Sequence, residues 1–124
     1  MRRRSKTPRA KLIAKLDKAI GQYIRDRDEY TCQKCGKMVE GSNCHVSHVI
    51  PRSAGNALRW DENNLKVLCF KCHIGWWHKE PTASGEWFKE KFPDRWDYLE
   101  SKRNTMVQFK IHDLQELLDS LKTH

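Results

Sequence analysis

Cys32-Gln33-Lys34-Cys35 and, after 33 intervening residues, Cys69-Phe70-Lys71-Cys72 form two CxxC pairs. Each pair can present two sulfurs from one turn of backbone, and four thiolates so arranged close a tetrahedron around Zn²⁺. A structural zinc is expected on Cys32, Cys35, Cys69 and Cys72, because four cysteines leave no open position for a substrate. Two alternatives accompany this reading. The pairs could cycle as redox disulfides, although no thioredoxin-like β-α-β pattern surrounds them. Cys44 or His45 could exchange into the metal shell, although Cys44 has no partner at CxxC spacing.

The composition supports a stapled core. A chain of 124 residues accommodates one domain, or one small domain with terminal extensions. Only 38% of it is apolar, below the roughly 45–50% of an average globular chain. So thin a core usually needs a staple, and zinc supplies about 10–16 kcal/mol in zinc-finger peptides. Five cysteines, four of them in CxxC pairs, favour thiolates on a metal in a reducing compartment, hence a cytoplasmic protein. No run of about 18 apolar residues is present, so no membrane span is expected. Met1-Arg2-Arg3-Arg4 opens as a signal peptide does, but the apolar stretch Leu12-Ile13-Ala14 stops at Lys15, short of the apolar region that secretion needs.

Charge is segregated. Residues 1–27 hold ten Lys/Arg and two Asp/Glu, whereas residues 28–124 hold fourteen of each, so the whole net +8 lies at the N-terminal end. A basic arm on a neutral body is the footprint of a polyanion binder, since each phosphate neutralised releases condensed counterions. Arg2, Arg3, Arg4, Lys6, Arg9 and Lys11 are the candidate DNA contacts there. An anionic membrane surface is disfavoured because the arm has no Trp or Phe to sink into lipid. A merely solubilising tail is the bland alternative.

Along the chain, Pro8 and the spacing of Leu12, Leu16, Ala19/Ile20 and Tyr23/Ile24 predict an amphipathic helix over 8–27. Residues 32–37 read as a tight knuckle whose Gly36 supplies a positive φ. Short strands are expected to flank Cys44 to Ile50. Residues 51–64 form a loop ahead of the apolar run Leu65 to Phe70, and a helix follows the second CxxC. Two short helices, 84–91 and 93–103, are expected to turn Trp87, Phe88, Trp96, Tyr98 and Leu99 inward. A last helix over 113–122 carries Leu114, Leu117, Leu118 and Leu121 on one face. Val107 and Ile111 could extend that face into a homodimer seam, though packing within one chain is its commoner use. The expected organisation is an arm and helix over 1–27, a zinc-stapled core over 28–80 and a helical extension over 81–124.

Between the knuckles lie Ser47-His48-Val49-Ile50-Pro51 and Asn64-Leu65-Lys66-Val67-Leu68-Cys69-Phe70-Lys71-Cys72-His73. These stretches resemble the HNH endonucleases, in which a His follows the first strand, an Asn opens the second segment and a His closes it; His48, Asn64 and His73 match in that order. The resemblance implies an α+β, treble-clef-like ββα-metal fold. His48 would then be the general base, Asn64 would hold the loop or ring that positions it, and His73 would bind a catalytic Mg²⁺ or Mn²⁺. It also implies 3′-hydroxyl and 5′-phosphate products. Hydrolysing a phosphodiester needs an activated water, a cation and a base with a pKa near neutrality, and imidazole fits the last role.

On a regular helix Cys72 can face zinc while His73, about 100° further round, faces a second ion. His78, five residues past His73 and about 140° away, is expected to lie outside the site. Many HNH enzymes carry a metal-binding acid or His before the base, where this chain has Ser47. His45 or Asp61 could replace it, or His48 itself could bind the ion while another group takes the proton. The bland reading makes His48 and Asn64 structural, leaving a zinc module that binds without cutting.

Leu16-Asp17-Lys18, Tyr23 to Asp28 leading into Cys32, Ser47 to Arg52 and Leu58-Arg59-Trp60-Asp61 carry a further resemblance, over about residues 12–80, to the phage NinG (Rap) recombination nucleases. Those proteins likewise lack an acid before the first His. The resemblance implies a phage-encoded protein acting in a bacterial cell on branched DNA such as Holliday junctions or D-loops. HNH nucleases with other phage roles, including genome packaging, share much of the pattern. Arg52 and Arg59 bracket the loop between base and Asn and could grip phosphate as planar forks, or be ordinary solvated charge. Trp60, Trp76 and Trp77 could stack on unpaired bases, or fill a core short of aliphatics, which is the favoured reading.

Overall fold

A computed structural model describes residues 6–122; Arg2, Arg3 and Arg4 lie outside the described residues. Helix α1 runs Pro8–Arg27. Its first turn is closed by Thr7, whose side chain accepts from the Ala10 amide at 3.1 Å, with Pro8 where a missing N–H costs nothing. Its last turn carries Arg25 and Arg27, the charge sign that suits the C-terminal end of a helix dipole. The apolar face is the expected one, with Leu12, Leu16, Ile20 and Ile24 buried.

Beyond α1 the backbone turns through left-handed Glu29 and Tyr30 into the first knuckle, where Gly36 has φ +77°, as the turn requires. Strand β1 (His45–His48) pairs antiparallel with β2 (Leu65–Leu68), aligning Ser47 with Lys66 and His48 with Leu65. The first strand thus lies within Cys44–Ile50 rather than beside it, and the apolar run supplies its partner. Helix α2 (Phe70–Cys72) continues directly into a π-helical turn, His73–Trp77. Helices α3 (Pro81–Lys91), α4 (Pro93–Lys102) and α5 (Ile111–Lys122) complete an α+β fold around the two-stranded sheet. Among the described residues no helix is long and apolar enough to cross a membrane.

Two apolar clusters hold these elements. One joins Ile20 and Ile24 of α1 to the strands, Trp77, Phe88 and Leu99. The other packs Leu12 and Leu16 against Leu114 and Leu118, so those leucines of α5 meet α1 of the same chain. Val107 and Ile111 remain exposed. Tyr98 is not inward as expected: it stands at the surface because its hydroxyl donates to the Asp61 carboxylate. The loop 51–64 is pinned at Gly55, with φ +99° and a backbone so near Thr105 that a Cβ would meet the Thr105 carbonyl oxygen at 2.6 Å. Beside it, Asn56 bonds the Val107 backbone through both its amide nitrogen and its amide oxygen, at 2.8 and 2.7 Å.

Leu16 is fully buried between the two helices. Leu16→Ala should therefore cost about 2–5 kcal/mol in urea unfolding, whereas a change below about 1 kcal/mol would mean that α1 and α5 do not depend on this contact.

Candidate active site

The four CxxC cysteines converge. The sulfurs of Cys32, Cys35, Cys69 and Cys72 all lie within 4.8 Å of one another, and those of Cys35 and Cys69 are 3.9 Å apart. A tetrahedron with metal–sulfur bonds of about 2.3 Å has edges of about 3.8 Å, so the spacing fits one ion. Burial opposes ionisation of Cys32, yet backbone hydrogen bonds outweigh it and bring that thiol down to about 7. Burial and the neighbouring thiols push Cys72 up. Cys44 is buried in the main core and, like His45, stands outside the four-sulfur group.

Strand alternation decides what faces the adjoining cavity, an open hollow of about 680 Å³ whose walls include Val46, His48, Arg52, His73, His78 and Arg103. His48 and Val46 project into it, while Ser47 points the other way. Ser47 is buried opposite Lys66, whose Nζ donates to Ser47 Oγ at 3.3 Å and stands 3.3 Å from the centroid of the Trp77 ring. Burial pushes the Lys66 amine well below its ordinary range, and Arg95 adds to the effect. Lys66 carries no distinguishing pattern in the sequence, since it sits inside an apolar run; its place opposite Ser47, on a strand buried along its whole length, emerges only from the pairing of the strands. The Ser47 position therefore offers nothing to an ion in this cavity. Asp61 is occupied too, accepting from the Asn63 amide at 2.9 Å and from Tyr98.

Asn64 is fully buried and works from behind the cavity wall. Its Oδ1 accepts from the Ile50 amide at 2.7 Å, and its Nδ2 donates to the Ile50 and Leu58 carbonyls at 3.0 and 3.2 Å. One side chain at the end of the loop that follows His48 thus ties down its start, at Ile50, and its middle, at Leu58. The His48 ring is pushed below 6.5 by burial first and by Arg52 next, while the Arg59 backbone carbonyl partly offsets them. A neutral ring with a free lone pair at neutral pH follows. Burial, His78 and His45 bring His73 down to about 4.

His78 belongs with these residues, contrary to the expectation from a regular helix. The π turn closes with the His78 amide donating to the His73 carbonyl at 3.1 Å, a five-residue step, and this puts both side chains on one face. Their Nε2 atoms are 3.0 Å apart. Two nitrogens at right angles about an ion, each roughly 2.1 Å from it, are about 3.0 Å apart, so the pair fits a small divalent cation. An H-x₄-H spacing aligns only where the helix widens by one residue, and periodicity does not report that. His45 reaches His73 from the far side, Nδ1 to Nδ1 at 2.9 Å.

The basic residues divide. Arg52 is exposed and lines both the cavity and a second groove, on the other side of His48, with Lys18, Arg25 and Arg59. Arg59 is half-buried and paired with Asp17 at 2.9 Å, its guanidinium over the Trp60 ring. Lys6 and Lys11 are exposed, and Arg9 donates to the Phe109 carbonyl at 2.6 Å. Trp60 donates to Asp17 and packs on Phe109, Trp77 is buried, and Trp76 is partly covered by Lys34 and Trp87. All three contribute to packing.

Residues 32–75 match the family model described as HNH endonuclease. The HNH match begins at the first cysteine of the cluster and ends within the π turn, so it contains His48, Asn64 and His73 and stops before His78. A protein of Lactococcus phage SK1 named probable HNH endonuclease is 32% identical over 59 residues, covering 44% of this chain. The chain spans 62% of that relative's length. No solved structure matches this chain.

Asn64→Ala strips three hydrogen bonds from buried backbone groups. It should destabilise the protein by about 2–4 kcal/mol in chemical denaturation; an unchanged midpoint would remove Asn64 as the clasp of the loop.

Proposed function

We propose that this chain is a divalent-metal-dependent DNA endonuclease of the HNH type, with zinc in the four-cysteine cluster as a structural ion. The observation that carries the reading is the joint presence of His48, His73 and His78 around one cavity, with Arg52 and Arg103 also lining it and His73 next in sequence to Cys72 of that cluster. The HNH match over 32–75 and the name of the phage relative support it.

His48 is the general base: its lone pair takes the proton of a water attacking a phosphodiester lodged in the cavity. His73 and His78 hold Mg²⁺ or Mn²⁺. That ion would act as a Lewis acid on the phosphate oxygens that gain charge. Asn64 is a positioning residue, keeping the loop after His48 in place. Arg52, together with Lys18 and Arg25 in the neighbouring groove, supplies positive charge on either side of His48 for the DNA backbone. Arg2, Arg3, Arg4, Lys6 and Lys11 extend this charge along the duplex. The free four-cysteine cluster suits the reducing cytoplasm of a bacterial cell. The resemblance to phage NinG (Rap) proteins directs the activity to branched recombination intermediates.

The test compares cleavage of a linear duplex, a flap and a four-way junction at one salt concentration. Cleavage should require Mg²⁺ or Mn²⁺, favour the branched substrates and fall about 10²–10⁴-fold in His48→Ala. Because burial lowers the His48 pKa, the base form persists into mildly acid solution, and the acid limb of the rate should have its midpoint below 6.5. Cleavage that needs no metal, or that survives His48→Ala unchanged, overturns the enzyme. Equal rates on the three substrates overturn the branched specificity alone.

A further inference from the structure

Behind the histidine pair lies a chain of ring contacts that the hydrolytic roles do not use. His45 does not line the cavity; it stands on the far side of His73. Its Nε2 is 2.9 Å from the Ser42 carbonyl oxygen, and its Nδ1 is 2.9 Å from His73 Nδ1. The two rings are nearly perpendicular, at 89°. A carbonyl oxygen can only accept, so His45 Nε2 carries the hydrogen. In a neutral imidazole the other nitrogen is then a lone pair. Two lone pairs do not approach to 2.9 Å, so the hydrogen between the rings belongs to His73 Nδ1, and His73 Nε2 is left bare, 3.0 Å from His78 Nε2 on the cavity side.

We infer that His45 is a positioning residue that fixes the tautomer of His73, through the sequence Ser42 carbonyl, His45, His73, so that His73 presents Nε2 to a divalent cation. The inference rests on the metal-dependent reading above. A histidine that binds a metal needs an acceptor for its other N–H, which sets ring orientation and raises basicity. The usual acceptors are carboxylates and carbonyls; here the lone pair of a second imidazole serves. The frame around the relay is rigid. Asn43, next to Ser42, accepts from the Phe70 amide at 2.8 Å and so ties the turn that carries the Ser42 carbonyl to the helix that carries His73. Phe70 also sets its ring edge-on to His45, 5.8 Å between centroids. His45, offered in the sequence as a substitute ligand for Ser47, thereby acts one shell further out.

The experiment uses the full chain with the cysteine cluster loaded with zinc. Long-range ¹H–¹⁵N correlation spectra without added Mn²⁺ should find His73 as the Nδ1–H tautomer. Mn²⁺ binding, read by electron paramagnetic resonance, should weaken about 10–100-fold in His45→Phe, which keeps a ring but removes both nitrogens. It should return to within about threefold of wild type in His45→Asn, whose Oδ1 can accept the same hydrogen. Thermal unfolding of both variants separates a lost relay from a lost fold. Wild-type His73 in the Nε2–H form, or His45→Phe binding Mn²⁺ as tightly as wild type, overturns the inference. The spectra need no cleavage, so an inactive wild type whose His73 is in the Nδ1–H form would remove the nuclease reading and leave the relay standing.

Discussion

Four sulfur atoms govern the arrangement of everything else. The two CxxC pairs are 33 residues apart in sequence, and bringing their thiols within 4.8 Å closes the interval that contains β1, the loop 51–64 and β2. The second pair runs without a break into His73, so the place where the sulfurs meet also sets where that cavity histidine sits. Closing a loop this long costs chain entropy that a core only 38% apolar is poorly equipped to offset. A metal–thiolate centre, worth about 10–16 kcal/mol in small finger peptides, is large enough to do so.

Around that anchor, buried polar groups do the aligning. Asn64 clasps the start and the middle of the loop after His48. Lys66 sits between Ser47 and the Trp77 face and so connects the strand of His48 to the π turn. At the other edge of β2, Arg27 donates to the Leu65 carbonyl at 2.6 Å and Asp28 accepts from the Val67 amide at 2.8 Å, joining the end of α1 to the same strand. Each of these groups is paired where water cannot reach it easily, and removing one partner leaves the other exposed to the full desolvation penalty. The cavity histidines are thus held by a polar lattice, with the apolar clusters supplying bulk on either side.

Much of this was legible in the residues, for identifiable reasons. Helix α1 begins and ends where Pro8 and its apolar spacing put it. The four cysteines meet because CxxC spacing encodes a local turn. Asn64, to which the HNH resemblance assigned the loop or the ring of His48, bonds the backbone of Ile50 and Leu58. What failed to show was geometry that departs from regular periods. His78 joins His73 only because the helix widens by one residue, and the 140° of a regular helix points it elsewhere. Ser47 raised a question that strand alternation answers, since it faces Lys66 and not the cavity. Tyr98 turned outward for a carboxylate partner 37 residues away in sequence, which no local pattern records.

Anomalous diffraction from crystals of the zinc-loaded protein soaked in Mn²⁺ tests the account most directly. The account predicts a zinc peak among the sulfurs of Cys32, Cys35, Cys69 and Cys72. It predicts a manganese peak about 2.1 Å from Nε2 of both His73 and His78, with the His48 ring facing it across the cavity. A manganese ion bound away from that imidazole pair, or a His48 ring turned out of the cavity that holds it, would contradict the account.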